Sequence, residues 1–104
     1  MLAISARIEL APKDAAAYAA AAQKIIAETH AEPGCQRYAI AVDVSDSNVI
    51  WISEQWESES ALMAHLAMPH IVEFMAFCGT VEITSMDVVK YDVSAAGPLI
   101  LPES

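Results

Sequence analysis

The sequence predicts an α+β fold: one antiparallel sheet with helices on one face, threaded in the order β-α-β-β-α-β. Three observations carry that prediction. Strand-like alternation opens and closes the chain, at Leu2 to Leu10 and at Val81 to Val93. An alanine-rich stretch of helical spacing runs from Pro12 to about Ala31. Two further strand-like runs, Cys35 to Val44 and Val49 to Trp56, are separated only by the turn-forming Ser45-Asp46-Ser47-Asn48, and two short helical segments come after them.

Taken in order, the first strand places Leu2, Ile4, Ala6, Ile8 and Leu10 on one face and Ala3, Ser5, Arg7 and Glu9 on the other. That is the pattern of a half-buried strand. Pro12-Lys13-Asp14 starts a helix, because proline is tolerated in a first turn. Tyr18, Ala22, Ile25, Ile26 and Thr29 form its stripe, and the alanines favour helix and close approach to a sheet. Glu32-Pro33-Gly34 ends it. In the second strand Tyr38, Ile40, Val42 and Val44 share a face opposite Arg37, Ala39, Ala41 and Asp43. The third strand, rich in β-branched and aromatic residues, ends at Trp56 and forms a hairpin with the second.

Ser58 is placed to cap the next helix, and Glu59 suits its positive start. Leu62 and Leu66 give that helix an apolar stripe. Met68 precedes a proline and is pushed out of helical geometry, so Pro69 opens a separate short helix. Ile71, Phe74, Met75 and Cys78 form its stripe, and Gly79 fits a left-handed stop. After the last strand, Ser94-Ala95-Ala96-Gly97-Pro98 breaks the pattern and leads into the apolar Leu99-Ile100-Leu101. The order is the split βαβ pattern of ferredoxin-like folds. The chain reads as one domain, residues 1–104, with a tail from about residue 94. The strands are apolar or aromatic on both parities, with Trp51 on one and Trp56 on the other. Helices cover only one face in such a fold, so a partner subunit is the simplest cover for the second.

Composition narrows function. The net charge is −9, from 5 basic and 14 acidic side chains, which argues against nucleic acid and anionic membranes. No apolar run approaches the roughly 18 residues of a spanning helix. Met1-Leu2-Ala3 carries no cationic leader, and a cytoplasmic location is the expectation. Cys35 and Cys78 form neither a CxxC pair nor a zinc spacing, and read as small apolar residues. His65 and His70 lie five apart across a proline break, without HxH or HExxH, so no metal is expected. No nucleotide or flavin motif occurs, so no cofactor is expected.

The chemistry-bearing residues cluster where the third strand gives way to the broken helix. Trp56 reads either as a core aromatic closing the sheet or as a planar wall for an aromatic substrate. His65 and His70 are each either a general base or a satisfied, partly buried imidazole. His30, at a helix C-terminus, needs no further role. Glu54 lies on the Trp56 face; if buried it requires a partner, for which Arg7 and Arg37 are the candidates.

Glu54-Gln55-Trp56-Glu57-Ser58, then Leu62, Ala64-His65-Leu66 and Pro69-His70, resembles the signature of the antibiotic biosynthesis monooxygenase family, most closely its small quinol monooxygenase branch. The similarity in layout runs from Leu2 to about Tyr91. The resemblance implies a dimeric α/β-barrel and cofactor-independent oxidation of quinol-type aromatics. It also implies a cavity-lining role for Trp56. Where the antibiotic-pathway members have Asn, Tyr and Arg, this chain has Ile52, Leu62 and, approximately, Met75. Where haem-degrading relatives have Asn and a haem-ligating His, it has approximately Ala6 and Met75, which disfavours haem.

Two functions are therefore expected from different classes. The first is a cofactor-independent monooxygenase acting on a quinol or related electron-rich aromatic with O2. In it Trp56 is the wall, His65 or His70 the proton acceptor, and Glu54, Tyr38, Met63 and Phe74 further substrate-binding residues. The second is a non-catalytic dimeric binding or regulatory domain, favoured by the apolar Ile52, Leu62 and Met75.

Overall fold

The computed structural model describes residues 1–102; Glu103 and Ser104, the end of the expected tail, lie outside the described residues. Strand β1 (Leu2–Leu10), helix α1 (Ala15–His30), strands β2 (Cys35–Asp43) and β3 (Asp46–Trp56), helices α2 (Glu59–Leu66) and α3 (Pro69–Cys78), and strand β4 (Ile83–Asp92) succeed one another along the chain. The sheet order is β2-β3-β1-β4, and every neighbouring pair is antiparallel. This is the ferredoxin-like arrangement, with the helices on one face.

Register puts side chains where the alternation requires. Ala6 pairs with Ile52, and Ile8 with Ile50, on the helix-covered face. Trp56 is 0% exposed there, while Trp51 is 40% exposed on the other face. Tyr18, Ala22, Ile25 and Thr29 are the buried stripe of α1. Tyr18 meets Phe74 of α3 edge-on at 5.4 Å between ring centroids. No single helix among the described residues is long and apolar enough to cross a membrane.

Several local features differ from expectation. The hairpin turn is Val44-Ser45, tighter than Ser45 to Asn48, because Asp46 already pairs with Asp43. Asp43 and Asp46 accept the N–H groups of Ser45 and Asn48 at 2.9 Å each, so both carboxylates serve the turn. Val44 is thus at the exposed tip rather than on the Tyr38 face. Helix α1 starts at Ala15, and Asp14 makes no side-chain cap. Its carboxylate accepts the Glu82 N–H at 2.9 Å and ties the helix start to the approach of β4. Gly79 has φ −70°, not a left-handed value; Thr80 N–H instead bonds Phe77 O at 2.8 Å and carries the turn onward. The Ser58 cap is present, its Oγ accepting Ala61 N–H at 3.2 Å, and Pro69 opens α3.

One glycine sets the position of the loop between α1 and β2. Gly34 has φ +83°, and a Cβ there would lie 2.6 Å from that of Ala61. Its carbonyl accepts the Glu57 N–H at 2.8 Å. The loop after α1 is thereby pressed onto the start of α2, which brings Glu32 in towards His65.

Candidate active site

Two strands, two helices and a loop supply the site. Strand β3 carries Glu54 and Trp56, and Tyr38 of β2 stands directly opposite Glu54. Helix α2 turns Leu62 and His65 inward. Helix α3 begins with Pro69, so His70 falls in its first turn. The loop leaving α1 supplies Glu32, buried although it is an acidic residue in a turn.

A cavity of about 310 Å³ lies between sheet and helices. Tyr18, Tyr38, Ile52, Phe74 and Met75 line it, with Glu54 and His65 as its polar members. It extends to Met86 and Val88 of β4, where Val88 is 56% exposed. The volume falls at the lower end of the roughly 300–1,000 Å³ usual for ligand pockets, and an apolar wall with a few convergent polar groups is their usual composition.

His65 is held from several sides. Its Nδ1 lies 3.0 and 3.2 Å from the two carboxylate oxygens of Glu32. A carboxylate only accepts, so Nδ1 carries the hydrogen and donates. In the neutral ring this leaves the Nε2 lone pair on the Glu54 side, 4.0 Å from Glu54 Oε1. The Trp56 ring lies behind, its centroid 4.5 Å from that of His65. The Trp56 Nε1–H donates to Glu54 Oε1 at 2.9 Å.

Burial raises the Glu54 carboxyl above the usual carboxylate range; the Trp56 N–H and His65 oppose the shift, and Glu32 adds to it. Burial likewise pushes the Tyr38 and Tyr18 phenols and the Cys78 thiol upward. Such phenols stay protonated, and the thiol is a poor nucleophile.

His70 lies on the far side of Glu32. Its Nε2 is 2.9 Å from Glu32 Oε2 and 3.2 Å from Thr29 Oγ1, whose own hydrogen goes to Ile25 O at 2.7 Å. Its Nδ1 is 3.3 Å from Glu28 Oε2. Glu32, His65 and His70 offer ligand-type atoms all within 4.8 Å of one another. The fold therefore assembles a trio that sequence spacing could not reveal. Its O···N distances of 2.9 and 3.0 Å are hydrogen-bond lengths, and the carboxylate accepts from both imidazoles. The trio is thus satisfied as a hydrogen-bonded cluster.

The sequence-predicted residues separate accordingly. His65, Glu54, Tyr38 and Phe74 converge on the cavity. Trp56 backs the wall rather than forming it, because its ring is wholly buried beneath His65. His70 opens instead onto a groove between α1 and α3. Met63 is 54% exposed and away from the cavity, since Leu62 and His65 occupy the inward stripe of α2. Neither Arg7 nor Arg37 partners Glu54; Arg7 pairs with Glu9 at 3.0 Å. Sequence reasoning passed over Glu32 as a helix stop. The one signal for it was an inward-facing His65 in need of an acceptor.

The family model described as antibiotic biosynthesis monooxygenase matches residues 1–76. No curated protein matches the chain. Among solved structures, a candidate antibiotic biosynthesis monooxygenase from Deinococcus radiodurans is similar at TM-score 0.86 and 22% identity, covering 96% of this chain and 99% of that one. The protein PA3566 from Pseudomonas aeruginosa is similar at TM-score 0.82 and 26% identity, covering 90% and 94%. Rv0793 from Mycobacterium tuberculosis is similar at TM-score 0.84 and 24% identity, covering 93% and 98%.

Proposed function

The chain belongs to the antibiotic biosynthesis monooxygenase family, and from that premise we propose that it oxidises a quinol or related electron-rich aromatic with O2, without a cofactor. The observation that carries this reading is the Glu32–His65 pair at an apolar cavity. A buried carboxylate fixes one imidazole nitrogen and leaves the other on the side of Glu54, which with His65 lines the cavity. That is the arrangement of an oriented general base.

In the proposed reaction His65 Nε2 takes the proton of a bound phenol hydroxyl. The phenolate is electron-rich enough to pass an electron to O2, and the two radicals combine at a ring carbon. The O–O bond then breaks. One oxygen stays on the ring, the other leaves as water, and the borrowed proton goes out with it. The ring loses four electrons and O2 gains four, so quinol plus O2 gives hydroxyquinone plus water. The protein's part is to bind, orient and exclude water. Tyr38 and Phe74 flank the ring, while Trp56 acts from behind by holding Glu54 and backing His65.

A homodimer completes this reading. Trp51, Val89 and Tyr91 leave an apolar stripe exposed on the sheet face without helices, and Leu99, Ile100 and Leu101 are exposed in the tail. A second copy covering them removes a large apolar surface from water.

A non-catalytic binding domain is the second reading, favoured by Ile52 and Met75 on the cavity wall. Oxygen uptake with a panel of reduced quinones separates the two. Catalytic uptake with hydroxyquinone as product supports the enzyme. Ligand binding without uptake supports the binding domain.

A further inference from the structure

His65 and Glu32 are sealed from solvent, with side chains 4% exposed each. A base so enclosed exchanges its proton with solvent through the groups hydrogen-bonded to it, the first of which is Glu32. His70 stands between Glu32 and the surface, and the Glu28 side chain beyond it is 66% exposed. Both ring nitrogens of His70 face carboxylate oxygens, at 2.9 Å to Glu32 and 3.3 Å to Glu28. A carboxylate only accepts, so Nε2 carries a hydrogen towards Glu32, and Glu28 stands within ion-pair reach of Nδ1. Glu73 and Lys24 border the same groove.

We propose that His70, carrying a hydrogen on each ring nitrogen between Glu32 and Glu28, forms with Glu28 a charge-coupled proton outlet for His65. The proposal rests on His65 as the proton acceptor and assigns His70 a role that positions and relays rather than touches substrate. When His65 Nε2 takes the phenol proton, its Nδ1 hydrogen moves to Glu32. The Nδ1–H bond breaks and a Glu32 O–H bond forms. Glu32 is then neutral, and His70 has lost the anion that held its charge. His70 releases its own Nδ1 hydrogen to Glu28 and from there to water. One proton enters the cluster from the cavity and one leaves at the surface. When water is expelled from the oxygenated ring the steps reverse, and the cluster returns to its starting state.

The test is 15N-histidine NMR of the whole protein at neutral pH, which reads the hydrogens on each ring nitrogen. Glu32→Gln stands in for the protonated carboxyl. The expected result is a cationic His70 in the wild type and a neutral one in Glu32→Gln. A His70 whose protonation is the same in both proteins overturns the proposal. Should Glu32→Gln fail to fold, Glu28→Gln at its exposed position carries the test: a shift towards the neutral ring supports the coupling, and no shift overturns it.

Turnover is the second arm. His70→Gln is expected to lower kcat about tenfold, below the loss from removing a base itself, with KM within about twofold and partial recovery on adding imidazole. An unchanged kcat in an active enzyme overturns the outlet. If the NMR coupling is present while wild-type protein oxidises no quinol, the monooxygenase reading fails and the coupled cluster stands.

Discussion

Replacing Glu32 by glutamine removes one charge and no volume, and its consequences are readable from three distances. The carboxylate accepts His65 Nδ1–H at 3.0 and 3.2 Å and His70 Nε2–H at 2.9 Å. The amide keeps one acceptor oxygen and sets an N–H2 group against the other imidazole. A hydrogen bond to a charged group contributes about 1.5–3 kcal/mol, so losing one and weakening the other costs about 2–4 kcal/mol. At about 4–8 °C per kcal/mol for a domain near this size, the melting temperature falls by roughly 10–30 °C. A fold with the usual stability of about 5–15 kcal/mol survives that loss in most of its range.

The effect on rate is larger. The amide N–H favours a bare Nδ1, which moves the His65 hydrogen to Nε2, the side meant to accept a proton. Loss of a correctly oriented base costs on the order of 10²–10⁴ in rate. Glu32→Asp keeps the charge with a shorter reach and is expected to fall between. Initial rates by oxygen electrode at saturating reduced quinone, beside thermal melts, measure both quantities. A folded Glu32→Gln enzyme within about threefold of the wild-type kcat refutes the orientation argument.

Glu54→Gln is expected to be more stable than wild type at neutral pH. Burial raises the folded-state pKa of Glu54, so its stabilising contribution is complete below the unfolded value and is lost as pH rises through the folded one. The advantage of the variant shrinks as pH falls through the ordinary carboxylate range, and equal melting curves at neutral pH refute the cause given. Trp56→Ala should cost about 3–5 kcal/mol, as for other buried aromatics. Trp56→Phe should fold but release Glu54, lowering turnover several-fold; a wild-type rate in Trp56→Phe removes the indole N–H from the mechanism. Sedimentation at micromolar concentration should show a dimer, weakened by deleting residues from Ser94 onward. A sole 11.1 kDa species argues against it. Activity should survive chelation, and stoichiometric metal bound at Glu32, His65 and His70 would overturn the cofactor-independent reading.

Sequence alone determined the element order, the face alternation of β1 and β3 and the break between α2 and α3. Alternation and helical spacing are local properties, and proline acts on its immediate neighbours. Trp51 and Trp56 stand on opposite faces for that reason, and Pro69 opens α3 as its fixed φ requires. It also brought His65 and Glu54 forward as residues of interest. What it left open was which groups meet. His65 and His70 are near in sequence, yet one reaches the cavity and the other a surface groove, because the bend between α2 and α3 sends them to opposite sides of Glu32. Trp56, expected on the cavity wall, is wholly buried against His65 and is not among the residues that line the cavity. Glu32 is 33 residues from His65 and carries no local mark of its role. The close approach of Gly34 to Ala61 and the Glu57 N–H bond to the Gly34 carbonyl bring that loop against α2, and both depend on the packed tertiary structure.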